Sequence, residues 1–132
     1  MIIGIPKEIK NRENRVAAVP GGVKLMVGAG HKVSVQKGAG LGAGIPDGKY
    51  EEAGATIVDS AEQVWTNSEM IIKVKEPIAE EYSRMQEGQL LYTYLHLAAE
   101  PALAKALVER KVSSVAYETI ELPDGSLPLL TP

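Results

Sequence analysis

Six short apolar runs recur along this chain, and the stretches between them read as helices. The runs are Ile2–Ile5, Lys32–Gln36, Thr56–Val58, Met70–Val74, Gln89–Tyr94 and Val112–Ala116, rich in Val, Ile, Leu and Tyr. They show little polar alternation, as expected of strands covered on both faces, and parallel strands need crossover helices. The intervening segments Gly21–Val27, Lys49–Ala53, Ala61–Thr66, Ala79–Met85 and Ala102–Arg110 supply them. In the last, Leu103, Ala106, Leu107 and Arg110 fall at helical spacing, and Pro101 suits a first-turn position. The pattern predicts an α/β fold: an open, doubly wound, mostly parallel sheet with helices on both faces, flavodoxin- or Rossmann-like. Pro123-Asp124-Gly125 lies between two extended stretches and predicts a C-terminal hairpin.

At 132 residues the chain has the length of about one domain. Fourteen basic against seventeen acidic residues give a net charge of -3, which leaves no electrostatic footprint for nucleic acid or an anionic membrane. With no cysteine, disulfides, thiolate metal sites and thiol nucleophiles are excluded. The first residues meet Lys7 and Glu8 too early for a signal peptide, and the apolar stretch Leu90–Ala99 is far short of a membrane span. The expectation is a soluble, cytoplasmic domain. The close at Leu130-Thr131-Pro132, without a capping helix or polar tail, reads as a cut rather than a natural end.

The glycine run Gly38-Ala39-Gly40-Leu41-Gly42-Ala43 fits a dinucleotide fingerprint, with Asp59 at the distance of a ribose-binding acid. Too little chain separates Gln36 from Ala55 for a long helix to start there, because Pro46-Asp47-Gly48 interrupts it. A pyrophosphate would lack its helix N-terminus, so the run is expected to be a close-packed loop.

Three other residues follow strands at the edge where open α/β sheets bind ligands. Arg15 stands at the end of the charged loop Lys7–Arg15, next to the apolar run Val16–Val19, and either grips a carboxylate bidentately or makes a surface ion pair. Its neighbours Lys7, Lys10, Arg12 and Glu13 are expected to be solvated. Strand periodicity puts Lys73 and Lys75 on one face, with Lys75 at the carboxyl end before Pro77. Lys75 either polarises a carbonyl or snorkels at the sheet edge. His96 follows Leu90–Leu95 and either passes protons near neutral pH or hydrogen-bonds a loop. His31, in a turn at the opposite end of the sheet, reads as structural. No metal-binding cluster, Ser–His–Asp order or P-loop competes. Together the three groups suit a small 2-oxo acid.

Gly4-Ile5-Pro6-Lys7-Glu8, Glu13-Asn14-Arg15-Val16-Ala17, Lys73-Val74-Lys75-Glu76-Pro77, Tyr94-Leu95-His96-Leu97-Ala98-Ala99 and Ala116-Tyr117-Glu118-Thr119 run over nearly the whole chain. In this order they resemble the N-terminal segment of the alanine dehydrogenases and pyridine nucleotide transhydrogenases. The resemblance implies NAD-dependent, reversible oxidative deamination of L-alanine to pyruvate and ammonia. It implies that Arg15 and Lys75 hold the substrate carboxylate and carbonyl, that His96 is the acid/base, and that Tyr94 lines the pocket. It also implies that residues 1–132 are part of the substrate domain and that the NAD-binding domain lies outside this chain. A homo-oligomeric full-length enzyme is implied as well. Two alternatives are a transhydrogenase α-subunit segment and a non-catalytic 2-oxo acid binding module. The transhydrogenases share the arginine loop, but their pattern lacks the later lysine and histidine.

Overall fold

The computed structural model describes residues 1–130; Thr131 and Pro132, at the expected cut, lie outside the described residues. The elements follow the order β1 (Ile2–Ile5), α1 (Pro20–Gly28), β2 (Lys32–Gln36), α2 (Asp47–Glu52), β3 (Thr56–Val58), α3 (Ala61–Asn67), β4 (Met70–Lys75), α4 (Ala79–Tyr82), β5 (Leu90–Tyr94), α5 (Pro101–Glu109) and β6 (Ser113–Ala116). The six strands form one sheet in the order β3-β2-β1-β4-β5-β6, and every pairing is parallel. This is the Rossmann order rather than the flavodoxin one, and the winding direction reverses between β1 and β4.

Alternation along β1 divides the core. Ile3 and Ile5 point to one face and pack with Val23 of α1, Val33 and Val35 of β2, and Tyr50 of α2. Gly4 points to the other face, where a Cβ would lie 2.2 Å from Ser68 Oγ and 2.9 Å from Val64 Cγ1, so α3 approaches as closely as glycine allows. That second face buries Val64 and Trp65 of α3, Ile71, Leu91, and Leu103 and Leu107 of α5. Helix α3 starts on a capping box: Ser60 Oγ accepts from Gln63 N at 3.2 Å, and Gln63 Oε1 accepts from Ser60 N at 3.1 Å.

Two expectations are corrected. Helix α4 ends at Tyr82 rather than Met85, because the next bonds, Arg84 N to Glu81 O and Met85 N to Tyr82 O, are of the tighter i→i−3 kind and drop Met85 into the core. The C-terminal hairpin is absent among the described residues. Gly125 turns at φ 84°, with Leu122 N bonded to Ser126 O at 2.9 Å, but no strand flanks that turn. Among the described residues no helix is long and apolar enough to cross a membrane.

Candidate active site

A cavity of about 540 Å³ opens at the carboxyl ends of the strands, beside the reversal between β1 and β4. Arg15 and Val16 from the loop after β1, Ala43 from the loop after β2, Tyr92 and Tyr94 of β5, and Tyr117 line it. The tyrosines form a wall: the Tyr117 ring sits 4.2 Å from Tyr92 and 4.8 Å from Tyr94, centroid to centroid, edge-on to both. Burial pushes the Tyr117 phenol far above its ordinary value, so it stays a neutral hydroxyl. The Tyr94 hydroxyl donates to the Leu129 carbonyl.

The loop carrying Arg15 is fastened at both ends. Glu8, 5 % exposed, sends its carboxylate under β4: Oε1 accepts from Lys73 Nζ and Lys75 N, and Oε2 from Val74 N, each at 3.1 Å. At the far end the buried Tyr50 hydroxyl donates to Ala18 O at 2.7 Å, tethering the apolar run after Arg15. Between them a turn closes through Glu13 N to Lys10 O, with Arg12 at φ 62°. The turn brings the Glu13 carboxylate onto Arg15: Nε donates to Oε2 at 2.9 Å, Nη2 to Oε1 at 2.7 Å, and the Arg15 backbone N to Oε2 at 3.0 Å. These bonds hold the Glu13 carboxyl down at about 2, well below the usual carboxylate range, with burial opposing and the nearby Lys75 ammonium assisting.

Expecting the loop charges to be solvated therefore fails for Glu13 and for Lys10, which pairs with the buried Glu76. Lys7 and Arg12 are exposed. The glycine run is the expected packed loop, with one 3₁₀ turn, Leu41–Ala43, and no long helix. A Cβ on Gly42 would lie 2.9 Å from Asn14 O, so this loop backs the arginine loop instead of cradling a phosphate.

Strand β4 overturns the expectation that Lys73 and Lys75 share a face. Ile72 pairs with Tyr92 but Lys75 pairs with Tyr94, so β4 spends one residue more than β5. Lys75 pairs with Tyr94 and so shares the tyrosines' face of the sheet, while the β4 residues that reach the cavity wall are Lys73 and Val74. Lys73, 1 % exposed, lies on the opposite face with its Nζ 3.1 Å from both Glu8 Oε1 and Glu81 Oε2. The Val74 and Lys75 amides at the irregularity donate to Glu8, so Glu8 both neutralises Lys73 and holds the bulge.

His96 lies one ring away from the cavity, in an adjoining depression with Leu95, Ala98 and Glu118. Its imidazole is stacked on Tyr94 at 6.3 Å between centroids. Its backbone is left-handed, φ 48°, a strained conformation for a non-glycine residue. Glu118 holds it there: Oε1 accepts from Leu95 N at 2.9 Å and from His96 N at 3.0 Å. Burial raises the Glu118 carboxyl, but these amide donors outweigh it and leave the carboxyl below its ordinary value. His31 hydrogen-bonds the N-terminal amine at the opposite end of the sheet.

The structure thus gathers Arg15, Lys75, Tyr94 and His96 at one edge, with Arg15 and Tyr94 on the cavity wall itself. Sequence reasoning missed their supports, Glu8, Glu13 and Glu118. The motif stretches contain all three, but a carboxylate beside charged or polar neighbours gives no sign of being turned inward.

The family model for the alanine dehydrogenase/PNT N-terminal domain matches residues 4–132. Alanine dehydrogenases from Methanococcus maripaludis, Bacillus subtilis and Mycobacterium tuberculosis are 59%, 56% and 51% identical over all 132 residues. The chain spans 34–36% of the length of these curated relatives. A solved L-alanine dehydrogenase superposes with a TM-score of 0.97 at 53% identity, covering 100% of this chain and 36% of that one. A transhydrogenase from Sinorhizobium meliloti gives 0.84 at 33% identity, covering 89% of this chain and 35% of its own. The family model over residues 4–132, with 51–59% identity to these alanine dehydrogenases over all 132 residues, places the chain in the alanine dehydrogenase/PNT N-terminal domain family.

Proposed function

We propose that this chain is the substrate-handling segment of an alanine dehydrogenase, an enzyme that interconverts L-alanine with pyruvate and ammonia using NAD. The observation that carries the reading is the placing of a guanidinium, an ammonium and an imidazole at one sheet edge, next to a cavity walled by tyrosines. The whole-chain identity to proteins named alanine dehydrogenase supports it. Arg15 binds the substrate carboxylate. Lys75 places positive charge at the carbonyl oxygen, where negative charge grows during attack by ammonia. His96 delivers or removes the proton at that oxygen. Tyr94 packs between the cavity and His96 and lines the site.

Among the described residues, the glycine run does not fit a dinucleotide. The glycine run is filled by its own neighbours, with Gly40 against Ile45 O and the Tyr50 ring and Gly42 against Asn14. NAD is therefore assigned to a part of the enzyme outside these residues. The test is Lys75→Ala and His96→Ala in the full-length enzyme, assayed as NADH oxidation dependent on pyruvate and ammonium. Each should lower turnover by roughly 10²-fold or more. Near-normal turnover in either variant removes the role given to that residue. Hydride exchange between NADH and an NADP analogue, independent of pyruvate, would favour a transhydrogenase instead.

A further inference from the structure

A guanidinium has two edges that can each meet a carboxylate bidentately: a side edge, Nε with Nη2, and an end edge, Nη1 with Nη2. In this protein Glu13 takes the side edge through two parallel bonds of 2.9 and 2.7 Å. It reaches that edge only because the turn closed by Glu13 N and Lys10 O, with Arg12 left-handed, folds the chain back on itself. The Arg15 side chain is 63% exposed while that of Glu13 is 7% exposed, so the carboxylate is the fixed partner and the guanidinium the projecting one. The Glu13–Arg15 unit rests on the glycine loop, where Gly42 meets the Asn14 backbone between the two residues.

We propose that Glu13 is a positioning residue: it locks the side edge of Arg15 so that the end edge faces the cavity and grips the substrate carboxylate. This inference rests on the substrate role proposed for Arg15. It adds that the affinity of the site for a carboxylate depends on a second, internal carboxylate that never touches the substrate. Glu13 does not compete for the clamp, because the two anions use different edges. A long arginine side chain without that anchor samples many rotamers, and ordering it falls to the ligand. With the anchor, that entropy is already spent before the ligand arrives.

The test uses the full-length enzyme with pyruvate as the varied substrate, comparing Glu13→Gln, Arg15→Lys and the double variant. Glutamine keeps the shape but offers one acceptor oxygen where two are used. The expected result is a KM for pyruvate raised roughly tenfold, with kcat within about twofold and the KM for NADH unmoved, as loss of ground-state binding gives. In the double variant, Glu13→Gln should add nothing to the defect of Arg15→Lys, because its effect passes through Arg15. Oxamate, a non-reacting carboxylate, should lose affinity in parallel. An unchanged pyruvate KM in Glu13→Gln alongside an impaired Arg15→Lys overturns this inference while leaving the role of Arg15 standing. A lowered KM overturns it by showing competition, and full additivity overturns it by showing a merely structural effect. An unimpaired Arg15→Lys overturns both readings.

Discussion

Replacing Lys73 by methionine removes one charge from the middle of the molecule and keeps nearly the same length and bulk. Lys73 is 1 % exposed and stands 3.1 Å from an oxygen of each of two buried carboxylates, Glu8 and Glu81. After the change Glu8 still accepts from the Val74 and Lys75 amides, and Glu81 from the Ile78 amide at 3.2 Å, but two negative charges share a low-dielectric space without their cation. Breaking a buried ion pair from one side costs about 3–5 kcal/mol. That is a large part of the ~5–15 kcal/mol that holds a domain together. The chain has a single tryptophan, and Trp65 is fully buried, so urea unfolding followed by its fluorescence reads the loss directly. Burial already pushes the Glu81 carboxyl up, and Lys73 opposes it. Removing Lys73 removes that opposition. A carboxyl whose folded value lies above its unfolded one stabilises the fold below the unfolded value and loses that contribution as pH rises through the folded value. The variant should therefore be least impaired in mild acid. Adding Glu81→Gln, which keeps the Ile78 acceptor and drops the charge, should recover at least about 1 kcal/mol. A loss below about 1 kcal/mol for Lys73→Met, or a further loss on adding Glu81→Gln, would refute the reasoning.

The Glu13 carboxyl should titrate near 2 when followed by carboxyl carbon chemical shifts, against an ordinary value of 4.5. Because its folded value is lowered, the stability it contributes is present above 4.5 and lost as pH falls toward 2. Arg15→Gln should return the midpoint toward 4.5, and a midpoint that stays near 2 in that variant contradicts the pairing. Glu118→Gln offers one acceptor oxygen where Glu118 has two, and it drops the charge that holds the left-handed turn at His96. Hydrogen exchange at the Leu95 and His96 amides should quicken by roughly tenfold or more, in line with about 1–3 kcal/mol for a weakened bond to a charged acceptor. Unchanged exchange would show that something else holds the turn.

The strands were readable because burial on both faces leaves Val, Ile and Leu in short runs, and the strand edge where Arg15, Lys75 and His96 gather followed from parallel winding alone. The partners of those residues were not readable. Glu13 looks like any loop acid until the left-handed Arg12 turns it back upon Arg15, and two residues of separation carry no sign of that reversal. Glu8 sits between Lys7 and Ile9 with nothing in its neighbours to announce that it is buried beneath another strand. The helix α4 boundary was missed because the apolar Met85 continues the periodic pattern while its backbone has already tightened. Pro123-Asp124-Gly125 encoded its turn correctly, but a turn does not by itself supply pairing partners for the chain on either side.

The extra residue in β4 acts as a change of parity. Upstream of it, odd-numbered side chains of that strand look toward α4 and even-numbered ones toward the tyrosines; downstream, the assignment is reversed. Two lysines spaced for the same side are in this way sent to opposite destinations, one into an internal charge cluster and one to the working edge. A regular ladder through the same residues would pair Val74 with Tyr94, bring Lys75 into phase with Lys73 and strip the edge of its ammonium, although every side chain in the stretch stayed the same. A linear Lys-x-Lys pattern therefore does not carry the site, and grafting those residues onto a regular strand would transfer the letters without the geometry.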